Sequence, residues 1–194
     1  NNNIIQNINI FQNNENIWWL NNYNDLLNIE IIQHIITSEY LLKIAEEYLD
    51  CNPILQNVLF WASYPGDVES TQKYHQDYDD VKFLKVFIYL NDVNENNGPH
   101  SYVKKSLNNI DLIKTNTGKL SERYDDETVK KHFSENIIHI TGNRGTIIFE
   151  DTHGLHKGSN VKEDKRFVLQ LVYGASTYYH LKNSNYEKYE CNIR

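Results

Sequence analysis

The chain has 194 residues, with 19 Lys and Arg against 26 Asp and Glu, a formal charge of −7 with His neutral. That length fits one domain whose core needs no disulfide support, and the acidic balance, with no basic stripe, excludes a nucleic-acid binder. No apolar run approaches the roughly 18 residues of a membrane span and no charged-then-apolar leader is present; Cys51 and Cys191 lie far apart with no CxxC, as expected of a reduced, cytoplasmic protein.

In chain order, residues 1–23 are rich in Asn and Ile and end in Trp18-Trp19-Leu20, which reads as a poorly ordered lead followed by an apolar anchor. The first Lys is Lys43, so the opening segment carries Glu15, Asp25, Glu30 and Glu39 without a basic residue. The sequence has no Met, and the missing initiator is expected to reflect residues absent at the start or in the loop after Val103. Apolar residues recur at helical spacing over 25–36 and again over 38–49, where Leu41, Ile44, Ala45, Tyr48 and Leu49 share a face opposite Lys43, Glu46, Glu47 and Asp50. Thr37 or Ser38 is the expected N-cap, and Asn52-Pro53 the stop.

After Pro53 the pattern changes to short β-rich runs at 58–64, 82–91, 136–140, 146–149 and 167–173, separated by Pro65-Gly66, Asn97-Gly98-Pro99, Gly142-Asn143 and Gly145. A polar stretch over 118–135 with Val129 and Phe133 reads as a short helix in a long crossing loop, a position where lids occur. The chain is therefore expected to be a single domain over 1–194: a helical N-terminal layer at 1–52 and, at 53–180, a mainly β core built as an antiparallel barrel or jelly roll.

Two segments carry chemistry. In Lys73-Tyr74-His75-Gln76-Asp77, an extended strand turns His75 and Asp77 to one side, so an imidazole nitrogen and a carboxylate oxygen can hold adjacent positions on one metal. In the second, residues 150–158, His153 and His156 each offer a third ligand at the end of an apolar strand. Two His and one carboxylate on one face of an octahedral ion leave three open positions, the arrangement of non-haem Fe(II) oxygenases. Arg166 follows a Gly-Ser-Asn turn, and its planar fork suits the far carboxylate of a dicarboxylic co-substrate.

These pieces, YHQD at 74–77, FLKVFIYLNDV at 83–93, NGPHSYV at 97–103 and DTHGLHKG at 151–158 with Arg166 beyond, together resemble the phytanoyl-CoA dioxygenase family of Fe(II)/2-oxoglutarate-dependent oxygenases over about half the chain. The resemblance implies a double-stranded β-helix, a cupin-like jelly roll, using Fe(II), 2-oxoglutarate and O2. It implies His75, Asp77 and His156 as metal ligands and Arg166 as the 2-oxoglutarate anchor, because the family pattern is Leu-His-Lys-Gly with its Arg about ten residues on; His153 then becomes a neighbouring group. It also implies that Lys73 and His100 lie against the co-substrate, with Phe87 shaping the pocket. A carboxylate at Asp77, where halogenating relatives carry a small residue, implies hydroxylation of a small-molecule substrate. The chain departs from the family after Val103, where Lys104-Lys105-Ser106 replaces the usual Pro-Gly-Ser-His. The two competing readings are a cupin-type metalloenzyme without 2-oxoglutarate and a jelly-roll binding module for glycans or a partner protein.

Overall fold

The computed structural model describes residues 11–14, 17–20, 26–66, 70–108 and 123–177. Its elements are β1 (Phe11–Asn14), β2 (Ile17–Leu20), α1 (Glu30–Ile36), α2 (Glu39–Leu49), β3 (Ile54–Ser63), β4 (Phe83–Tyr89), β5 (His100–Val103), α3 (Asp126–Phe133), β6 (Ile137–Ile140), β7 (Ile147–Glu150), β8 (His156–Gly158) and β9 (Arg166–Gly174). A six-stranded sheet runs β1-β2-β3-β9-β4-β7 and a three-stranded sheet runs β6-β5-β8. The ladders are antiparallel.

The large sheet is organised by side-chain alternation. On one face Val58 of β3, Leu84, Val86 and Ile88 of β4, and Leu169, Leu171 and Tyr173 of β9 form a core with Leu41, Ala45 and Leu49 of α2. Those helix residues recur every four positions, so one stripe of α2 seats on the sheet. The helix ends at Asp50, in the left-handed region at φ 61, whose N–H reaches Glu46 O. The opposite face of the same strands presents Leu59, Lys85, Phe87, Val168, Gln170 and Val172 to a cavity. All seven residues of β4 are buried, because the strand is covered on both faces.

The small sheet closes the other side of that cavity. Outside it α3, capped by the Asp125 carboxylate accepting Thr128 N–H at 2.7 Å, buries Val129 and Phe133 against Tyr74, Val103 and Leu155. This cluster grips the two segments that carry the candidate ligands. Residues 11–14 and 17–20 correct the expected lead: they are strands, added to the edge of β3 in register Trp18↔Ala62 and Leu20↔Phe60. The N-terminal layer is thus sheet extension as well as helix. Most of the expected crossing loop before α3, residues 109–122, lies outside the described residues. Among the described residues no helix is long and apolar enough to cross a membrane.

Candidate metal centre

The backbone sets the site. His75 and His156 form an isolated antiparallel bridge in which each N–H donates to the other's carbonyl at 3.0 Å. Residues directly opposite in such a pair project to the same face, and His75 and Asp77, two apart, share that face. Asp77 is itself pinned by its N–H to Thr152 O at 2.8 Å. One nitrogen of each His and one oxygen of Asp77 consequently lie within 4.8 Å of one another. His156 Nε2 is 3.1 Å from Asp77 Oδ2, and His75 Nε2 is 3.8 Å from Oδ1.

Each ring is oriented from behind. Nδ1 of His75 lies 2.8 Å from Lys73 O, and Nδ1 of His156 lies 3.0 Å from Gly154 O. A carbonyl only accepts, so both Nδ1 atoms carry the hydrogen, and in the neutral ring Nε2 keeps its lone pair for a metal. Burial, followed by the neighbouring His156, pulls the His75 pKa down to about 3. His156 is held above the ordinary value: burial opposes its charge, and Asp77 outweighs it. Burial also opposes the Asp77 charge, but Lys85 and then His156 hold its carboxyl well below the usual range. A neutral imidazole and an ionised carboxylate are the forms that bind metal.

The structure separates the two histidines of residues 150–158. His153 has Nδ1 2.8 Å from Asp151 Oδ1 and Nε2 3.3 Å from Asp80 O, and Asp151 also accepts from Tyr48 of α2. His153 thus ties the loop to the helical layer, while His156 joins His75 and Asp77. Lys73 is exposed and contributes its carbonyl, not its ammonium, to the site.

A cavity of about 250 Å³ opens beside the three donors, with Phe87, His100 and Arg166 in its wall. The Arg166 guanidinium is buried, donating through Nη1 to Gly98 O and lying 3.4 Å from Ser63 Oγ through Nη2. Gly98 takes φ 70, and a Cβ there would stand 2.4 Å from Ser159 O, so the carbonyl that receives the guanidinium depends on glycine. Gly158 makes room in the same way, since its Cβ would meet Nη2 at 2.5 Å. Among the described residues Nε of Arg166 has no hydrogen-bond partner and no carboxylate pairs with the guanidinium. Burial alone drives its pKa down. A buried cation without a carboxylate partner among the described residues is suited to take up an anion.

Three further groups escaped the sequence reading. Lys85 is 6% exposed, with Nζ 2.6 Å from Asp77 Oδ2 and 2.8 Å from Asp79 Oδ2; burial works against its charge, and the two carboxylates hold its pKa above the ordinary range. Gln170 is 4% exposed and lines the cavity between Leu59 and Phe87 across the ladder. Glu150 is buried behind His100, with Oε2 2.6 Å from His100 Nε2. The sequence signal was the same in each case: a polar residue at an alternating position of an otherwise apolar run.

No protein-family model matches the chain, and no curated protein sequence matches it. Solved structures do. HygX from Streptomyces hygroscopicus, with nickel and 2-oxoglutarate bound, superposes with TM-score 0.60 at 15% identity, over 88% of this chain and 75% of that one. EctD from S. alaskensis, with 2-oxoglutarate and 5-hydroxyectoine, gives 0.59 at 17% over 82% and 56%. The epimerase SnoN, in complex with Fe3+, alpha ketoglutarate and nogalamycin RO, gives 0.59 at 14% over 81% and 63%. The chain thus shares their fold while spanning less than two thirds of EctD and SnoN.

Proposed function

We propose that this chain is a non-haem Fe(II)- and 2-oxoglutarate-dependent oxygenase that hydroxylates a C–H bond of a small metabolite, with release of succinate and CO2. The observation that carries the reading is the cavity wall that joins three convergent donors, His75, Asp77 and His156, to a buried Arg166 that no carboxylate among the described residues pairs with. These residues fit the two groups. A divalent metal takes the lone pairs of two imidazoles whose Nδ1 atoms are already committed to carbonyls, together with a carboxylate oxygen. A dicarboxylate supplies an anion for Arg166. HygX, EctD and SnoN, which share the fold, hold iron or nickel, or 2-oxoglutarate, or both. We accordingly read the two sheets as a double-stranded β-helix, and the ordered motifs from Tyr74 to Arg166 as kinship with the phytanoyl-CoA dioxygenase family.

When bound, iron and 2-oxoglutarate supply the O2 chemistry, oxidising 2-oxoglutarate to succinate and CO2 and a substrate C–H to C–OH. The protein's own groups bind and orient. Arg166 grips the distal carboxylate, Lys85 neutralises and fixes Asp77, and Phe87, Leu59 and Val168 keep water from the floor of the cavity. No side chain is needed as nucleophile. Because SnoN is an epimerase, the outcome at carbon is the second point to measure. Fe(II)-loaded protein is expected to form succinate from 2-oxoglutarate with O2 consumption, to lose this with His75→Ala, and to place one atom of 18O2 in the product of a stimulating metabolite. Succinate formation unchanged in His75→Ala contradicts the reading, and a product without 18O favours the epimerase outcome.

A further inference from the structure

Glu150 ends β7 opposite Lys85 of β4, so both side chains point to the cavity side of the large sheet. Lys85 reaches the cavity and Glu150 does not, because His100 from the small sheet stands in front of it. Both members of this pair are more than nine-tenths buried. His100 Nε2 and Glu150 Oε2 are 2.6 Å apart, yet neither carboxylate oxygen receives a well-directed hydrogen bond from any described residue. The other basic group in reach, His156 Nδ1 at 4.0 Å, is already committed to Gly154 O.

The ring of His100 is held on its other sides as well. It lies over Phe87 with centroids 4.6 Å apart and faces the ring of His156 at 5.8 Å and 24°. Its backbone N–H donates to Tyr89 Oη at 2.9 Å. Gly158, whose surface cradles Arg166, is the register partner of His100. His100 therefore stands on the wall between the buried guanidinium and a candidate ligand, with Nε2 set against Glu150 and Nδ1 as the ring nitrogen away from that carboxylate.

A carboxylate backing one nitrogen of an imidazole fixes the ring's aim, and a proton held between the two groups leaves the other nitrogen free to carry its own hydrogen and donate. Such contacts are often misaligned in the empty site and tighten when the ligand arrives. We propose that Glu150 is a positioning residue that, through a proton shared with His100 Nε2, leaves His100 Nδ1–H to donate a hydrogen bond to an oxygen of the 2-oxoglutarate bound beside Arg166. This rests on the function proposed above. Glu150 touches no ligand itself and acts only through the ring in front of it.

A double-mutant cycle on 2-oxoglutarate binding to the Ni(II)-loaded protein, read by calorimetry, tests this. Glu150→Gln is expected to weaken 2-oxoglutarate roughly tenfold, the scale of one charge-assisted hydrogen bond. His100→Phe should weaken it to a similar extent, and adding Glu150→Gln to His100→Phe should produce no further loss. Nickel affinity should stay within about twofold throughout, since the metal ligands are untouched. If Glu150→Gln does not fold, Glu150→Leu gives the same comparison without leaving a buried polar orphan. Unchanged 2-oxoglutarate affinity in the Glu150 variant, or an equal loss in the His100→Phe background, overturns the positioning role and leaves the oxygenase reading intact. Wild-type protein that takes up nickel and no 2-oxoglutarate overturns both.

Discussion

The Lys85 ammonium lies 2.6 Å from Oδ2 of Asp77, inside a strand that is otherwise apolar from Phe83 to Tyr89. The charge on the ligand carboxylate is thus balanced before a metal arrives. Removing Lys85 leaves Asp77 and Asp79 without their cation. Lys85→Met is expected to cost about 3 kcal/mol of folding stability, the scale of breaking a buried pair from one side. Part of that loss should return on adding Ni(II), so the variant's melting temperature should rise more with nickel than the wild type's. Equal nickel shifts in the two proteins count against the pairing.

Arg166 and Gly158 make a second test that leaves the metal ligands alone. A side chain at Gly158 would push the guanidinium from its cradle. Gly158→Val is expected to weaken 2-oxoglutarate at least tenfold, as is Arg166→Gln, while nickel binding stays near the wild-type level in both. Titration of the nickel-loaded proteins measures it, and an unaffected Gly158→Val places the anion elsewhere.

The fold was largely legible in the sequence because its core strands obey simple periodicity. The runs at 82–91 and 167–173 became β4 and β9, which pair along Phe83↔Gly174 to Tyr89↔Val168, and the stripe over 38–49 became α2. What escaped is what distant pairing decides. Phe11–Asn14 and Ile17–Leu20 are short segments in an Asn-rich lead that become strands by adding one after the other to the edge of β3. His100–Val103 and His156–Gly158 are short and polar, and they are strands because they pair with each other. The same holds for the site. His75 and Asp77 follow from alternation along one extended segment, which forms an isolated bridge where the sequence predicts a strand, whereas His156 joins them through that bridge, which no local pattern encodes. Lys85, Glu150 and Gln170 could be seen as polar interruptions, but which face each occupies required the register of the sheet.

Gln170 separates stability from function. Its amide is more than nine-tenths buried on the cavity face between Leu59 and Phe87, and a nearly isosteric apolar replacement removes the cost of burying it. Gln170→Leu is expected to raise folding stability by about 1 kcal/mol in urea denaturation while lowering the rate of succinate formation. A variant that is both less stable and fully active would show that the amide serves the fold alone.

The tie between the ligand loop and the helical layer depends on pH with a definite sign. His153 is raised above its ordinary value by its hydrogen bond to Asp151, against the opposing effect of burial. A raised folded pKa gives stability that is fully present below the unfolded value of about 6.5 and is lost as pH rises through the folded value. The pair is partly solvated, so the loss should stay below about 1 kcal/mol. Urea midpoints of the metal-free protein are expected to fall across this window in the wild type more than in His153→Gln. Parallel pH profiles would contradict the assignment.

The most direct test of the central claim is anaerobic addition of 2-oxoglutarate to the Fe(II)-loaded protein, followed by visible absorption. A metal held by His75, Asp77 and His156 and chelated by the keto acid is expected to give a charge-transfer band that saturates at one equivalent, is absent in His156→Ala, and needs much more 2-oxoglutarate in Arg166→Gln. Protein that retains no stoichiometric iron, or retains it and shows no band, would contradict the account.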